Sequence, residues 1–458
     1  MKQFLRFSNI PLWALLSCLC FSCYEFEKPQ EAFYLEYSND TLLFDTLFTE
    51  QGSITKRLKI YNVSDQDFLI PSIGVFGGAA SSYEIIVNGI SSHIHEDILL
   101  RSNDSLLLLA KVFIDPTDEN LPFIVHDSIE VVLKNKREYI DLISWGQNAH
   151  FLSDSILNCD QIWVNDKPYV IYDNILISEG CKLEIEPGVR IYSHFNSSIY
   201  VAGQIQVNGS STEPVVFTND RLDKNYENLP GQWNGIYILE GSTNNLFEFV
   251  NIRNSIYGLR IGNPDEDSEF DTFLKQVKIE NCSDYGILAF TSDVHLQNTL
   301  ILNSGISAFG GYAGGHYYIE NSNFINHNLG YIRREVLFEF SDNIVLADQS
   351  ILSSDLELTL INSIIWGPMF EEINFSLSGN TNSQYLFSHS LLKSSDSQWN
   401  SNNNILNFNP QFSDIQKFNF NPDINSPLVD AGIDLGLQID LLGNIRNGIP
   451  DIGALEHQ

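Results

Sequence analysis

Between residues 32 and 148, apolar and polar positions alternate with a period of two in short runs, at 34–37, 42–47, 54–62, 83–87, 105–114, 128–133 and 139–144. That period turns successive side chains to opposite faces, as in a half-buried strand. Gly77-Gly78 and Pro116 stand among the breaks. Short strands divided by turn residues predict an antiparallel β-sandwich of immunoglobulin type over 32–150. Leu106-Leu107-Leu108-Leu109 is apolar at both parities, as a central strand would be.

A second regime begins near Asp154. Leu183 and Ile185 alternate up to the turn Pro187-Gly188, Val189 and Ile191 alternate after it, and 198–209 repeats the style. Four later segments share one pattern, Val250-Asn-Ile-Arg-Asn-Ser255, Val277-Lys-Ile-Glu-Asn-Cys282, Leu300-Ile-Leu-Asn-Ser304 and Asn323-Phe-Ile-Asn-His327. Their aligned asparagines, Asn254, Asn281, Asn303 and Asn326, lie 27, 22 and 23 residues apart. About 22 residues suit three short strands and three turns, so 154–412 is expected to form a right-handed parallel β-helix, a solenoid in an all-β chain. Ile252, Ile279, Ile301 and Phe324 are then expected to form an inner column. Arg253 and Glu280 would pair outside as a surface salt bridge worth about 0–1 kcal/mol. An exposed last rung needs a cover, which is the role expected of 413–458.

The first 22 residues carry Lys2 and Arg6 and then an apolar run from Ile10 to Phe21, too short for a bilayer span and suited to a signal peptide. Ser22-Cys23 and Ser17-Cys18 both have the small-residue-then-Cys form of a lipoprotein processing site, whereas Leu19-Cys20 does not. Cys23 is favoured as the lipid-attachment residue, because the apolar run is then fuller and Glu25 and Glu27 follow at once. Residues 23–31 would be a tether to outer-membrane lipid, with Cys18 as the other processing site and an unlipidated signal peptide as the plainer reading. Export permits disulfides. Cys159 and Cys181 stand 22 residues apart, about one coil, so neighbouring rungs would bring them within bonding range; two buried free thiols are the alternative.

With 58 acidic against 25 basic residues, the formal charge of −33 repels nucleic acid and equally repels polyanionic glycans. The 30 Phe and 19 Tyr supply ample material for ordered cores.

Asn409-Pro-Gln-Phe412, Ser426-Pro427 with Ala431-Gly432, Asp440 with Gly443 and Arg446, Pro450-Asp-Ile-Gly-Ala454 with Glu456, and Asn362-Ser-Ile-Ile-Trp-Gly367 resemble the right-handed β-helix lipoproteins of Bacteroidetes-type bacteria, whose carboxyl end is the choice-of-anchor Q region. The sandwich ending in Trp145-Gly-Gln147 resembles domains that precede such helices. Leu455 stands where an aromatic is commoner. The resemblance implies the fold and an envelope location, at the cell surface or on the periplasmic face, and leaves the activity open.

Candidate chemistry is sparse. A polysaccharide lyase needs a base and commonly Ca²⁺ on clustered acids. Asp220, Arg221, Asp223 and Lys224 before Trp233, and Asp265, Glu266, Asp267, Glu269 and Asp271 in a later insertion, are the residues that could serve, with solvated loops as the plainer reading. No other cofactor is indicated, and no repeat position shows the recurring carboxylates of a glycoside hydrolase. Ser304 with His316 forms a weak nucleophile pair beside what reads as a wide glycine turn at 310–315. Trp233, Tyr312, Tyr317, Tyr318 and Trp366 could stack on neutral sugars. The leading expectation is a non-catalytic envelope lipoprotein that binds an extended glycan or an envelope protein along one face. A carbohydrate-active enzyme and a structural spacer are the alternatives.

Overall fold

The computed structural model describes residues 35–262, 269–327 and 333–457. Cys23 and the rest of the expected leader and tether, together with Asp265, Glu266 and Asp267, lie outside the described residues. The described chain is all-β, with only short 3₁₀ turns besides its strands. It divides into two compact units, one made of 53–112 and 126–143 with the described residues up to 43, the other of 44–52, 113–125 and 144 onward.

Most residues of two five-stranded sheets belong to the first unit. Lys56–Asn62 and Tyr83–Val87 flank Ser105–Val112 on either side, both antiparallel. In the other sheet Phe68–Val75 is antiparallel to Ile94–Leu100 and to Phe123–Val132. Alternation explains the core: Leu58, Ile60, Leu106, Leu108, Tyr83 and Ile85 are buried. Ser105–Val112 is the central strand of its sheet, yet Leu107 is 46% exposed, so its four leucines are not buried on both faces. The strand Phe68–Val75 escapes a reading of the sequence because Pro71 interrupts it. The register passes from Ile70↔Ile98 to Ser72↔Glu96, leaving Pro71 outside the ladder pairs, where its missing N–H costs nothing.

In the second unit the strands stack in parallel files. One file runs through 169–171, 190–193, 215–217, 250–253, 277–280, 300–302, 323–325 and 364–366. A second runs through 174–177, 198–201, 235–238, 257–262, 285–290, 307–312 and 338–341. The third runs through 161–163, 182–185, 204–207, 245–248, 272–275, 294–297, 317–320 and 356–361. The chain visits the three files in the same order again and again, so each inward position stacks on its equivalent. Ile191, Phe217, Ile252, Ile279, Ile301, Phe324 and Ile365 form such an inner column, each fully buried.

Corners explain the repeated asparagines. Asn254, Asn281 and Asn303 take φ of 62°, 58° and 60°, the left-handed region that Asn tolerates better than most residues. Asn303 Nδ2 donates to Asn281 Oδ1 at 3.4 Å, and Asn254 Nδ2 to Asn219 Oδ1 at 2.8 Å. Asn326 instead clasps the Ser304 backbone, accepting from its N–H at 3.0 Å and donating to its carbonyl at 2.8 Å. Arg253 and Glu280 face each other across the first file at 3.4 Å. The run 310–315 is not a wide turn: it belongs to the long strand Ser307–Glu320, which bends at Ala313-Gly314-Gly315, all at positive φ.

Cys159 and Cys181 are joined, with Cα atoms 4.7 Å apart. Closing a loop of this length restricts the unfolded chain by roughly 3 kcal/mol. The double substitution Cys159→Ser/Cys181→Ser is therefore expected to lower the urea midpoint of the second unit, and an unchanged midpoint would show that the bridge holds nothing.

Residues 413–457 have a lateral packing role. They lie along the outside of the first file, where Leu300, Leu302 and Ile325 pack with Phe420, Leu441 and Leu455, and Ile364 and Leu391 pack with Leu428 and Ile452. The reason is in the strands themselves: Leu300-Ile301-Leu302 is apolar at both parities, so its outward side needs a cover as much as its inward side. A second row of left-handed corner asparagines supplies the clasps. Asn298 Nδ2 donates to the Ile439 carbonyl at 2.9 Å, Asn321 Nδ2 to that of Gly453 at 3.3 Å, and Asn362 Nδ2 to that of Ile433 at 2.7 Å.

Candidate ligand-binding face

The outward side of the second file carries aromatic rings at successive levels. Ile199-Tyr200-Val201 and Ile236-Tyr237-Ile238 each bury the two aliphatics and turn the tyrosine out. Tyr200 and Tyr237 are register partners with ring centroids 5.1 Å apart. Tyr257 follows at 6.1 Å from Tyr237, and Tyr285 at 6.3 Å from Tyr257, the last two nearly parallel. Beside them Arg260 stands over both Tyr237 and Phe290, at 5.6 and 5.8 Å from the ring centroids, and Phe290 pairs with Tyr312.

Gly310 is what lets the far end close. A Cβ there would meet the Tyr285 and Tyr312 rings, each at 2.9 Å, so the two tyrosines fold over a bare backbone. Their hydroxyls meet at 3.4 Å, and Tyr312 donates to Glu339 Oε2 at 2.8 Å. Asn374 Nδ2 donates to the other Glu339 oxygen at 3.2 Å. The result is a half-buried strip of rings with phenol, guanidinium and carboxylate groups at its edges.

Burial pushes the Tyr237 phenol up to about 12, helped by the neighbouring Tyr200 and Tyr257. Burial also raises Tyr257, with the Asp284 carboxylate adding to it, and raises Tyr312, with Tyr285 and Glu339 adding to it. Tyrosine ordinarily ionises near about 10. These phenols are therefore neutral hydrogen-bond donors throughout the physiological range. In an alkaline titration followed by tyrosinate absorbance, Tyr237→Phe is expected to remove amplitude from the late part of the curve, above about pH 11, and loss of amplitude near pH 10 instead would refute this.

The residues singled out from the sequence are scattered. Tyr312 belongs to the strip. Trp233 does not: it is fully buried in the core and its Nε1 donates to the Arg253 carbonyl at 2.8 Å, so it offers no ring to a ligand. The position before the 235–238 strand, bridged to Ser255, places the indole inside, a consequence invisible in the surrounding polar sequence. Asp220 accepts from or pairs with His194 Nδ1 at 2.6 Å, and Asp223 meets Arg221 at 3.3 Å while that arginine lies 3.8 Å over Tyr226. These two acids are thus engaged in local pairs on one insertion. Ser304 lies in the first file and His316 in the third, so they form no nucleophile pair. Among the described residues no group of three or more His, Cys, Asp and Glu side chains is arranged to hold a metal ion. Tyr200, Tyr237, Tyr257, Tyr285, Arg260, Phe290 and Glu339 were not singled out. The usable signal was a tyrosine between two aliphatics in a strand, as in Ile199-Tyr200-Val201.

Residues 155–280 match the model of a family described as a pectate-lyase-like β-helix domain, which supports a parallel β-helix family for this region. Over 147 residues the chain is 26% identical to Protein bark beetle of Drosophila melanogaster, a stretch that is 32% of this chain and 5% of that protein. The chain thus spans only a small part of this relative. Among solved structures, the ASH/PapD-like domain 7 of human CEP192 is 14% identical over 28% of this chain and 95% of its own, with a TM-score of 0.17. A protein of unknown function from Porphyromonas gingivalis W83 is also 14% identical, over 28% of this chain and 60% of its own, with a TM-score of 0.18.

Proposed function

We propose that this chain is an outer-membrane lipoprotein, anchored through Cys23 at the cell surface, that binds an extended neutral glycan along the tyrosine strip. In this reading the first unit is an immunoglobulin-like sandwich and the second a right-handed parallel β-helix, whose repeated levels offer a polymer equivalent contacts one after another. The observation that carries it is the run Tyr200, Tyr237, Tyr257, Tyr285, with rings 5.1 to 6.3 Å apart on one outer face. Rings present an apolar surface to the carbon-bound hydrogens of a sugar while their hydroxyls reach its polar edge. The charge of −33 disfavours polyanionic glycans and nucleic acid.

The test is a glycan array probed with the full chain in detergent, with and without Ca²⁺, each bound glycan being assayed for cleavage. Binding of neutral glycans without cleavage supports the proposal. Cleavage of the bound glycan would replace it with a carbohydrate-active enzyme, and silence across the array would favour an envelope-protein partner or a spacer.

A further inference from the structure

We infer a second, separate sugar site, a cavity of about 360 Å³ where the carboxyl-terminal segment meets the outside of the first file. Its lining includes Trp366, Phe412, Phe420, His327, Asn409 and Gln411. The volume falls within the range of small-molecule sites, on the order of 300–1,000 Å³. Asn409-Pro-Gln-Phe412 and Trp366-Gly367, which the tyrosine strip leaves unused, thus converge here.

The chemistry of the lining selects the ligand. Trp366 is half-buried and Phe420 buried, so the cavity has apolar walls. His327 and Gln411 have side chains that both donate and accept, and among the described residues neither side chain is committed to a hydrogen bond. Asn409 uses Oδ1 to accept from the Gln411 N–H at 2.9 Å, leaving its amide hydrogens at the rim. Gln411 is held at φ 49°, a left-handed conformation costly for a residue with a Cβ, and its carbonyl is tied to the Asp423 N–H at 2.9 Å. Among the described residues no Asp, Glu, Lys or Arg lines the space; the neighbouring Lys393 ammonium sits 4.9 Å from the Trp366 ring centroid and is not part of the lining. Apolar walls with an imidazole and two side-chain amides, and no carboxylate, ammonium or guanidinium among the described residues, suit a neutral ring bearing hydroxyls, that is, one unit of a neutral saccharide.

The full chain would be titrated separately with glucose, galactose, N-acetylglucosamine and L-fucose, followed by tryptophan fluorescence and saturation-transfer NMR. At least one sugar is expected to bind saturably with Kd of about 1 mM. Trp366→Phe should abolish the fluorescence change, and His327→Ala and Gln411→Ala should each weaken binding about fivefold or more. Tyr257→Ala/Tyr285→Ala, which lies on the other site, should leave this binding intact. Absence of saturable binding of all four sugars by both methods would overturn the inference, as would binding undiminished in both His327→Ala and Gln411→Ala. Loss of binding in the tyrosine double variant alone would assign the sugar to the strip and overturn it equally.

Discussion

Glu372→Ala is expected to destabilise the second unit by about 3–5 kcal/mol. Glu372 and Arg333 form an ion pair whose side chains are 0% and 1% exposed. The glutamate is heavily used. Its Oε2 accepts from the Leu337 N–H at 3.1 Å as well as from the arginine, and its Oε1 accepts from the Met369 N–H at 2.9 Å. A side chain at Gly367 would run into the same carboxylate, which accounts for glycine after Trp366. Alanine at 372 would leave a guanidinium buried without a counter-ion and two backbone donors unsatisfied, and both effects are costly. The measurement is the urea midpoint of unfolding. Arg333→Met/Glu372→Leu separates lost pairing from lost packing, since replacing both charges by apolar groups should recover much of the deficit. A Glu372→Ala midpoint equal to wild type would mean that the pair is solvated in solution.

Arg446→Ala is expected to release the carboxyl-terminal segment from the first file, at a cost also of about 3 kcal/mol or more. Arg446 meets Glu456 at 2.7 Å, Asn298 Oδ1 at 2.7 Å and the Gly453 carbonyl at 3.0 Å, with the two charged side chains 3% and 7% exposed. Glu456 also accepts from the Asp451 N–H at 2.8 Å, so one cluster joins 440–456 to the corner at Asn298. Limited proteolysis should cut the variant within 413–457 while the wild type resists. The pH dependence has a definite sign. Burial already pushes the Glu456 carboxyl up, opposed by the Asp451 N–H that it accepts from and by Arg446, with the Asp451 carboxylate adding a smaller push upward. Removing the arginine raises it further and leaves a buried anion at neutral pH. The variant's deficit should therefore be largest near neutral pH and shrink as the pH falls through that raised value, where the carboxyl becomes neutral. A deficit that grows on acidification would contradict this.

The parts legible in the sequence are those where one physical rule acts on one strand. Ile252, Ile279, Ile301 and Phe324 recur at close to one circuit, and stacking requires similar residues at equivalent levels, so their alignment in one inner column could be anticipated. Asn254, Asn281 and Asn303 were legible for the same reason, because a left-handed corner favours few residues. The tyrosine strip was not. Insertions such as 220–232 make the intervals between Tyr200, Tyr237, Tyr257 and Tyr285 unequal, the register pairs Tyr237 with Arg260 rather than with Tyr257, and only the ring contacts show that the four share a face. The lateral packing of 413–457 was half legible: Leu300-Ile301-Leu302 announces a strand covered on both sides, while nothing local says by what. Trp233 shows the opposite failure, a residue typical of sugar sites that the fold uses as core.

The most direct measurement is calorimetric titration of the full chain with neutral oligosaccharides of increasing length, drawn from whichever glycan the array selects. If a polymer lies along Tyr200, Tyr237, Tyr257 and Tyr285, affinity rises with each added unit until the strip is spanned, and Tyr257→Ala/Tyr285→Ala lowers it by about tenfold or more, in keeping with two stacking contacts of roughly 0.5–1.5 kcal/mol each. Affinity that is independent of length, or unchanged by the double substitution, would contradict glycan binding on this face.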